Sequence, residues 1–162
     1  MNSELKILPI PRSLSVIYAD DMRQEMGDKI TIVGMYQNQM VFPSLPAQVL
    51  KLAVFLTATS SIDRPFRKLV FRLFKNDEMI FEQAISDENL SVFSEKSTSV
   101  SEGSRSTVGM DASLFVLLPP LSFDAPGAIR CHAETEEGIM IGRPLIVTDA
   151  ALSKPAETEV RP

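Results

Sequence analysis

Several carboxylates crowd one short segment near the start of the chain, at Asp20, Asp21, Glu25 and Asp28. Carboxylates held close together attract hard divalent cations and raise one another's pKa, so such a cluster can serve a metal site or acid and base catalysis. The spacing does not match an EF-hand loop, and Arg23 and Lys29 offer ion pairs within the same segment. We therefore expect these acids to cap a helix and form salt bridges, and we assign no catalytic, metal-binding or cofactor-binding residue.

The chain contains one histidine, His132, and one cysteine, Cys131. A histidine-rich zinc site is therefore excluded, and any triad that needs a histidine must use His132. In a strand, neighbouring side chains point to opposite faces, which places Cys131 in the core and His132 toward solvent and rules out a dyad between them. The sequence lacks the P-loop, nucleophile-elbow, zinc-protease and dinucleotide-binding motifs. We predict that the protein is not an enzyme.

The stretch from Arg64 to Lys75 is rich in arginine, lysine and phenylalanine, a combination that binders of single-stranded nucleic acid use. Alternation, however, turns the apolar side chains of residues 69, 71 and 73 toward the core. The net charge of −5 also disfavours a nucleic-acid partner. The sequence favours either a solvated strand face or a surface for an acidic protein partner, and the candidate interaction residues are Arg64, Arg67, Lys68 and Arg72.

The elements that must position these residues are short runs rich in Val, Ile, Phe and Thr, bounded by Pro, Gly, Asn, Asp or Ser. They predict strands at residues 14–19, 29–36, 39–42, 50–59, 66–75, 78–85, 112–118, 128–135 and 138–148. Leu50, Leu52, Val54 and Leu56 fall on one face of the fourth run. The pattern is typical of an all-β fold, and we expect an antiparallel two-sheet β-sandwich of immunoglobulin-like or related topology.

Three segments depart from the strand pattern. Asp20 or Asp21 predicts the N-cap of one helical turn that ends at Gly27, and Gly34 indicates a bulge in the following strand. The serine-rich segment 86–110 holds a short predicted strand at residues 90–93. The last residues lack an apolar period, so we expect a single domain at 1–150 and a disordered tail at 151–162.

Composition narrows the partners and the location. The chain has 162 residues, 44% of them hydrophobic and 23% charged, which suits a chain that folds by itself. An acidic chain repels phosphate backbones and anionic lipid surfaces. The sequence has no long apolar run to span a bilayer and no apolar leader, and its lone cysteine cannot form an internal disulfide. We expect a cytoplasmic protein that binds neither nucleic acid nor membranes.

Residues 18–36 resemble the opening signature of a family of uncharacterised bacterial and phage proteins. That signature reads F-A-[DE]-D-[IVM]-R-x-E-x-x-x-K, followed by a strand that ends in G-x-Y. The positions that match here are Ala19, Asp20, Asp21, Met22, Arg23, Glu25, Lys29, Gly34 and Tyr36, with Tyr18 in place of the phenylalanine. The resemblance implies a shared fold and a phage or prophage setting, but no activity.

These observations leave three functional hypotheses. The first is a non-enzymatic interaction or assembly module that binds a protein partner or associates with itself, for example through an exposed edge strand. The second is a sandwich that binds a small ligand or carbohydrate, although the chain has no tryptophan and two tyrosines to stack on sugar rings. The third is a carboxylate-dependent hydrolase that uses Asp20, Asp21 or Glu25.

Overall fold

The computed structural model describes residues 7–27, 29–96 and 107–151. Its strands are β1 Ser13–Glu25, β2 Lys29–Tyr36, β3 Gln39–Phe42, β4 Ala47–Val49, β5 Leu52–Ser61, β6 Leu69–Lys75, β7 Glu78–Ala84, β8 Gly109–Leu118, β9 Leu121–Phe123, β10 Gly127–Thr135, β11 Gly138–Ile141 and β12 Leu145–Asp149. One helix, α1 Asp87–Lys96, follows β7. The serine-rich residues 97–106 and nearly all of the predicted tail, 152–162, lie outside the described residues.

The strands form two large sheets. The first sheet has the order β2-β1-β5-β8, and the second has the order β3-β12-β10-β6-β7, with β11 beside the far half of β10. The short strands β4 and β9 pair with each other. In an immunoglobulin-type sandwich, β1, β5 and β8 would be strands A, B and E, while β6, β7, β10 and β12 would be C, C′, F and G. The predicted all-β sandwich is confirmed, with one parallel pairing, β3 with β12, among the antiparallel ones.

The core lies between the two sheets and follows the predicted alternation. Leu52, Val54 and Leu56 of β5 are fully buried, as are Leu69, Phe71 and Leu73 of β6. Cys131 of β10 is buried among them, as predicted, and burial raises the pKa of its thiol to about 12. Alternation works here because each strand of a sandwich presents one face to the other sheet.

Tyr18 ties the two sheets together. Its hydroxyl lies in the core and donates a hydrogen bond to the carbonyl oxygen of Arg143 at 3.0 Å, with the carbonyl of Ile129 at 3.3 Å. Burial raises the pKa of the phenol, so the group stays a neutral donor. This contact fixes β1 against the second sheet and so determines where the β1–β2 hairpin starts.

The predicted helical turn at residues 20–27 is wrong. β1 continues through Glu25, and β2 pairs with it from the Tyr18–Tyr36 position to the Glu25–Lys29 position. Asp20 and Asp21 therefore lie within a strand and cap no helix. The hairpin forms instead because pairing with β2 extends the strand through Glu25, whereas a single helical turn leaves most of its backbone groups without partners. Gly27 is in the turn with a φ of 77°, where a glycine is favoured.

Three other local predictions also differ from the structure. Residues 90–93, predicted as a strand, lie in α1, because Ser86 accepts a hydrogen bond from the Asn89 amide at 3.3 Å and acidic residues occupy the first turn. The strand predicted to begin at Leu50 begins at Leu52, and Leu50 is 72% exposed. Near the C-terminal end, the single run 138–148 is divided into β11 and β12 by Gly142, Arg143 and Pro144.

Candidate functional site

The β1–β2 hairpin is bent at Gly34, which has a φ of 66°. A Cβ atom at this position would lie 2.1 Å from Oδ2 of Asp20, so the glycine leaves the space that the carboxylate fills. The Tyr36 hydroxyl donates to Asp20 Oδ1 at 2.5 Å, and burial together with this bond raises the tyrosine's pKa to about 12. Asp20, Gly34 and Tyr36 therefore form one structural unit that fixes the hairpin.

The hairpin builds a second, small core on the outward face of the first sheet. Ala19 and Met22 of β1 and Ala53 of β5 are buried together there, apart from the main core. Ile17 and Phe55, which lie opposite each other in the β1–β5 pairing, pack against them. Pairing between β1 and β5 stops at Ala19, so the rest of β1 pairs with β2 alone.

A cleft of about 380 Å³ opens beside this small core; we call it the hairpin cleft. Its lining comes from the hairpin and from the outward face of β5 and β8: Met22, Arg23, Gln24, Ile30, Phe55, Ser113 and Phe115. A volume of this size is within the range of small-molecule sites in proteins. The cleft offers aromatic and aliphatic walls with one guanidinium and two neutral polar groups at its margin.

Asp20, Asp21 and Glu25, the described carboxylates of the segment 20–28, are engaged in separate structural contacts. Asp21 accepts from Lys51 at 2.7 Å and from Arg23 at 3.4 Å, and the hydrogen bond from Lys51 lowers the pKa of this carboxyl. Glu25 accepts from the Thr31 hydroxyl across the hairpin, while Asp28 lies outside the described residues. Within residues 7–27, 29–96 and 107–151 there is no group of three or more His, Cys, Asp or Glu side chains arranged to hold a metal ion.

The edge of the first sheet beyond β5 is formed by β8, a long and regular strand. β8 pairs with β5 over ten consecutive positions, from Leu52–Leu118 to Ser61–Gly109, without a register shift. Among the described residues its other side pairs with no strand. On its outward face Phe115 is 45% exposed and Leu117 is 52% exposed. A row of free backbone donors and acceptors therefore runs beside two exposed apolar side chains.

The outward face of the second sheet carries the predicted basic surface, and most of its charges are paired. Arg72 binds Glu82 at 2.5 Å and Glu134 at 2.6 Å, and Lys68 binds Glu134 as well. Arg64 binds Glu137 at 2.6 Å. The backbone amide of Arg67 donates a hydrogen bond to Glu136, and the Arg67 side chain is exposed. Their role as an interaction surface stays a prediction, but acidic neighbours of this chain already balance three of the four charges.

His132 lies on this same outward face rather than free in solvent. It is partly buried and its ring packs against Phe74, with the ring centroids 4.9 Å apart. The predicted orientation, away from Cys131 and toward the outward face, is correct, and the ring is partly buried there. The aromatic neighbour gives the histidine a packing role.

Sequence reasoning missed the two features that now stand out, the hairpin cleft and the β8 edge. No sequence signal indicated the edge, because Gly109–Leu118 carries a single charge, Asp111, in ten residues, a composition that is typical of a central strand. No sequence signal indicated the cleft, since its lining comes from four separate strands.

Comparisons with protein-family models, with curated proteins and with solved structures found no match to this chain. The resemblance of residues 18–36 to a bacterial and phage family therefore stays a prediction. No helix in the described part of the chain is long and apolar enough to cross a membrane.

Proposed function

We propose that this protein is a non-enzymatic interaction module that binds an extended segment of another polypeptide along β8. One observation carries the proposal: among the described residues β8 is a ten-residue edge strand with no proline and no register shift, and with one charge, Asp111, near its start. An unpaired edge of this kind is a template for a further strand, because each free N–H and C=O can bond to an incoming backbone.

The other edges of the two large sheets supply the contrast. β7 carries Glu78 and Glu82 and has a register shift opposite residues 73 and 74 of β6. β3 has four residues and is followed by Pro43. β2 begins with Lys29 and is bent at Gly34. Charges, prolines, bulges and short strands all discourage edge pairing, and before Pro119 β8 has a single such feature, the charge of Asp111.

The surface beside the edge supports the same function. Phe115 lines the hairpin cleft and Leu117 follows it on the same face of β8. In strand addition the backbone supplies affinity, while pockets for alternate side chains supply specificity. A partner strand with apolar residues on its outward face would cover Phe115 and place a neighbouring side chain at the mouth of the cleft. The resemblance of residues 18–36 to a phage family adds a phage-derived locus as the expected setting.

The test is selection from a display library of random ten-residue peptides against the protein immobilised at low density. Leu117→Lys places a charge on the β8 face, and Met79→Lys is its matched control, because both side chains are 52% exposed and both lie on edge strands. We expect selected peptides to bind the wild type and Met79→Lys, and to bind Leu117→Lys roughly 30-fold more weakly. Failure to enrich any peptide, or equal binding to both variants, would contradict the proposal.

A small apolar ligand in the hairpin cleft is the second candidate, favoured by the volume and lining of the cleft. Phe55→Ala would weaken such a ligand, whereas Leu117→Lys would leave its binding unchanged, since Leu117 does not line the cleft. Thermal-shift screening of small aromatic and aliphatic carboxylates against both variants separates this candidate from the first.

A further inference from the structure

We infer that the segment that pairs with β8 is β8 of a second copy of this chain, joined antiparallel around a two-fold axis. This inference rests on the proposed function and names the occupant of the edge. The two first sheets would then form one continuous sheet of eight strands, with the order β2-β1-β5-β8-β8-β5-β1-β2.

The length and composition of β8 set conditions on the strand that can pair with it. The partner must run for about the same length without proline, and it must bring no charge opposite the apolar middle of the strand. β8 itself meets these conditions, because Pro119 lies just beyond its end and its one charge, Asp111, lies near its start. Asp111 is also held within its own chain, where it accepts a hydrogen bond from Thr59 at 2.6 Å.

Two-fold symmetry makes the strand complementary to itself. A two-fold axis perpendicular to the sheet keeps the outward face of each copy outward, so outward side chains lie opposite outward side chains. Pairing centred at Phe115 sets the two Phe115 rings opposite each other and Leu117 opposite Ser113 of the other copy. Asp111 then lies opposite Pro119, beyond the last paired position. The two Asp111 carboxylates are separated by eight residues of strand, roughly 27 Å, which exceeds the screening length at physiological salt.

The paired length supplies a set of backbone hydrogen bonds of the size that interfaces use. Antiparallel pairing over residues 112–118 makes on the order of seven backbone hydrogen bonds, which is within the range of a typical protein interface. Since the whole chain has a net charge of −5, two copies repel each other overall. A contact between them is favoured where charge is sparse, and the β8 edge is such a place.

The first experiment measures the mass of the protein by light scattering coupled to gel filtration. We expect the wild type and Met79→Lys to have twice the chain mass of 17.9 kDa, and Leu117→Lys to dissociate about 100-fold more readily, since symmetry introduces the charge twice. Circular dichroism confirms that both variants stay folded. A monomeric wild type at concentrations up to about 1 mM, or a dimer unaffected by Leu117→Lys, overturns the inference.

A cysteine scan from Asp111 to Leu117 tests the geometry. Cys131 is buried and stays unreactive, so in each variant the one added cysteine reports on its own position. Because a residue on the two-fold axis lies opposite its copy, we expect oxidation to cross-link one position far better than its neighbours. Uniform or absent cross-linking contradicts the two-fold pairing. If the chain is monomeric but the selected peptides still discriminate Leu117→Lys from Met79→Lys, this inference fails while the proposed function stands.

Discussion

The outward faces of the two sheets differ in how their side chains are satisfied. On the second sheet, Arg72, Glu134 and Glu82 form a network of ion pairs, and Asp77 binds Arg130 at the far end. On the first sheet, hydroxyl contacts such as Thr57 with Ser113 give way to exposed apolar residues near the cleft. A face whose charges are paired internally offers little to a partner, whereas an apolar face beside a free edge is stabilised by being covered.

Gly34→Ala is the strongest test of the hairpin that shapes the first face. The substitution strains a backbone with a φ of 66° and places a Cβ atom against Asp20. We expect a loss of about 3 kcal/mol in the free energy of unfolding. Gly27→Ala is the control, because its φ is 77° but nothing lies within 4 Å of its added Cβ, so about 1 kcal/mol is expected. Urea unfolding measures both; equal losses would show that the fit of Asp20 against Gly34 does not matter.

Tyr36→Phe removes one hydrogen bond from the same unit and leaves the ring in place. We expect a loss of about 1 kcal/mol, since the Asp20 carboxylate loses its tyrosine donor but is exposed enough to bind water. Urea unfolding again supplies the measurement, and Asp20→Ala combined with Tyr36→Phe completes a double-mutant cycle. A coupling energy of zero would contradict a structural role for the Asp20–Tyr36 bond.

Glu136→Gln tests how much the ion pairs of the second sheet contribute to stability, through the pH dependence of unfolding. Burial alone would raise the pKa of Glu136, but hydrogen bonds from Arg12 and from backbone amides outweigh it and lower the pKa from 4.5 to about 2. A lowered pKa means that the ionised group stabilises the folded state above the unfolded value of 4.5, and that this contribution disappears as the pH falls toward 2. We expect the stability difference between wild type and variant to shrink over that range. Urea unfolding at several pH values measures it, with the exposed Glu88→Gln as control; a constant difference would contradict the assignment.

Glu134→Gln is expected to have the smallest effect. Hydrogen bonds from Lys68 and Arg72 lower the pKa of Glu134, yet exposed ion pairs of this kind contribute little to stability. The change should therefore alter the unfolding midpoint only slightly, and less in high salt than in low salt. A large loss that is independent of salt would mean that the second face is held together by its charges, and the contrast between the two faces would need revision.

Much of the sandwich was predictable from local pattern, whereas the candidate site was not. Alternation identified the core faces of β5 and β6 and the burial of Cys131, because a strand in a sandwich has a period of two whatever its partners are. The helical turn proposed for residues 20–27 failed because the same polar residues suit a cap and a two-stranded hairpin. Which one forms depends on β2, whose pairing with β1 places Asp20 beside Gly34.

The sequence by itself determined most of the strands, the inward faces of β5 and β6 and the absence of the common catalytic motifs, since these are properties of neighbouring residues; the short strands β4 and β9 were not predicted. The tertiary structure alone decided that β8 is an edge, that the hairpin and β8 share a cleft, and that Arg72 meets a carboxylate 62 residues away at Glu134. Edges, clefts and long-range ion pairs are set by which strands lie side by side. That order follows from packing over the whole core and leaves no local pattern in any single strand.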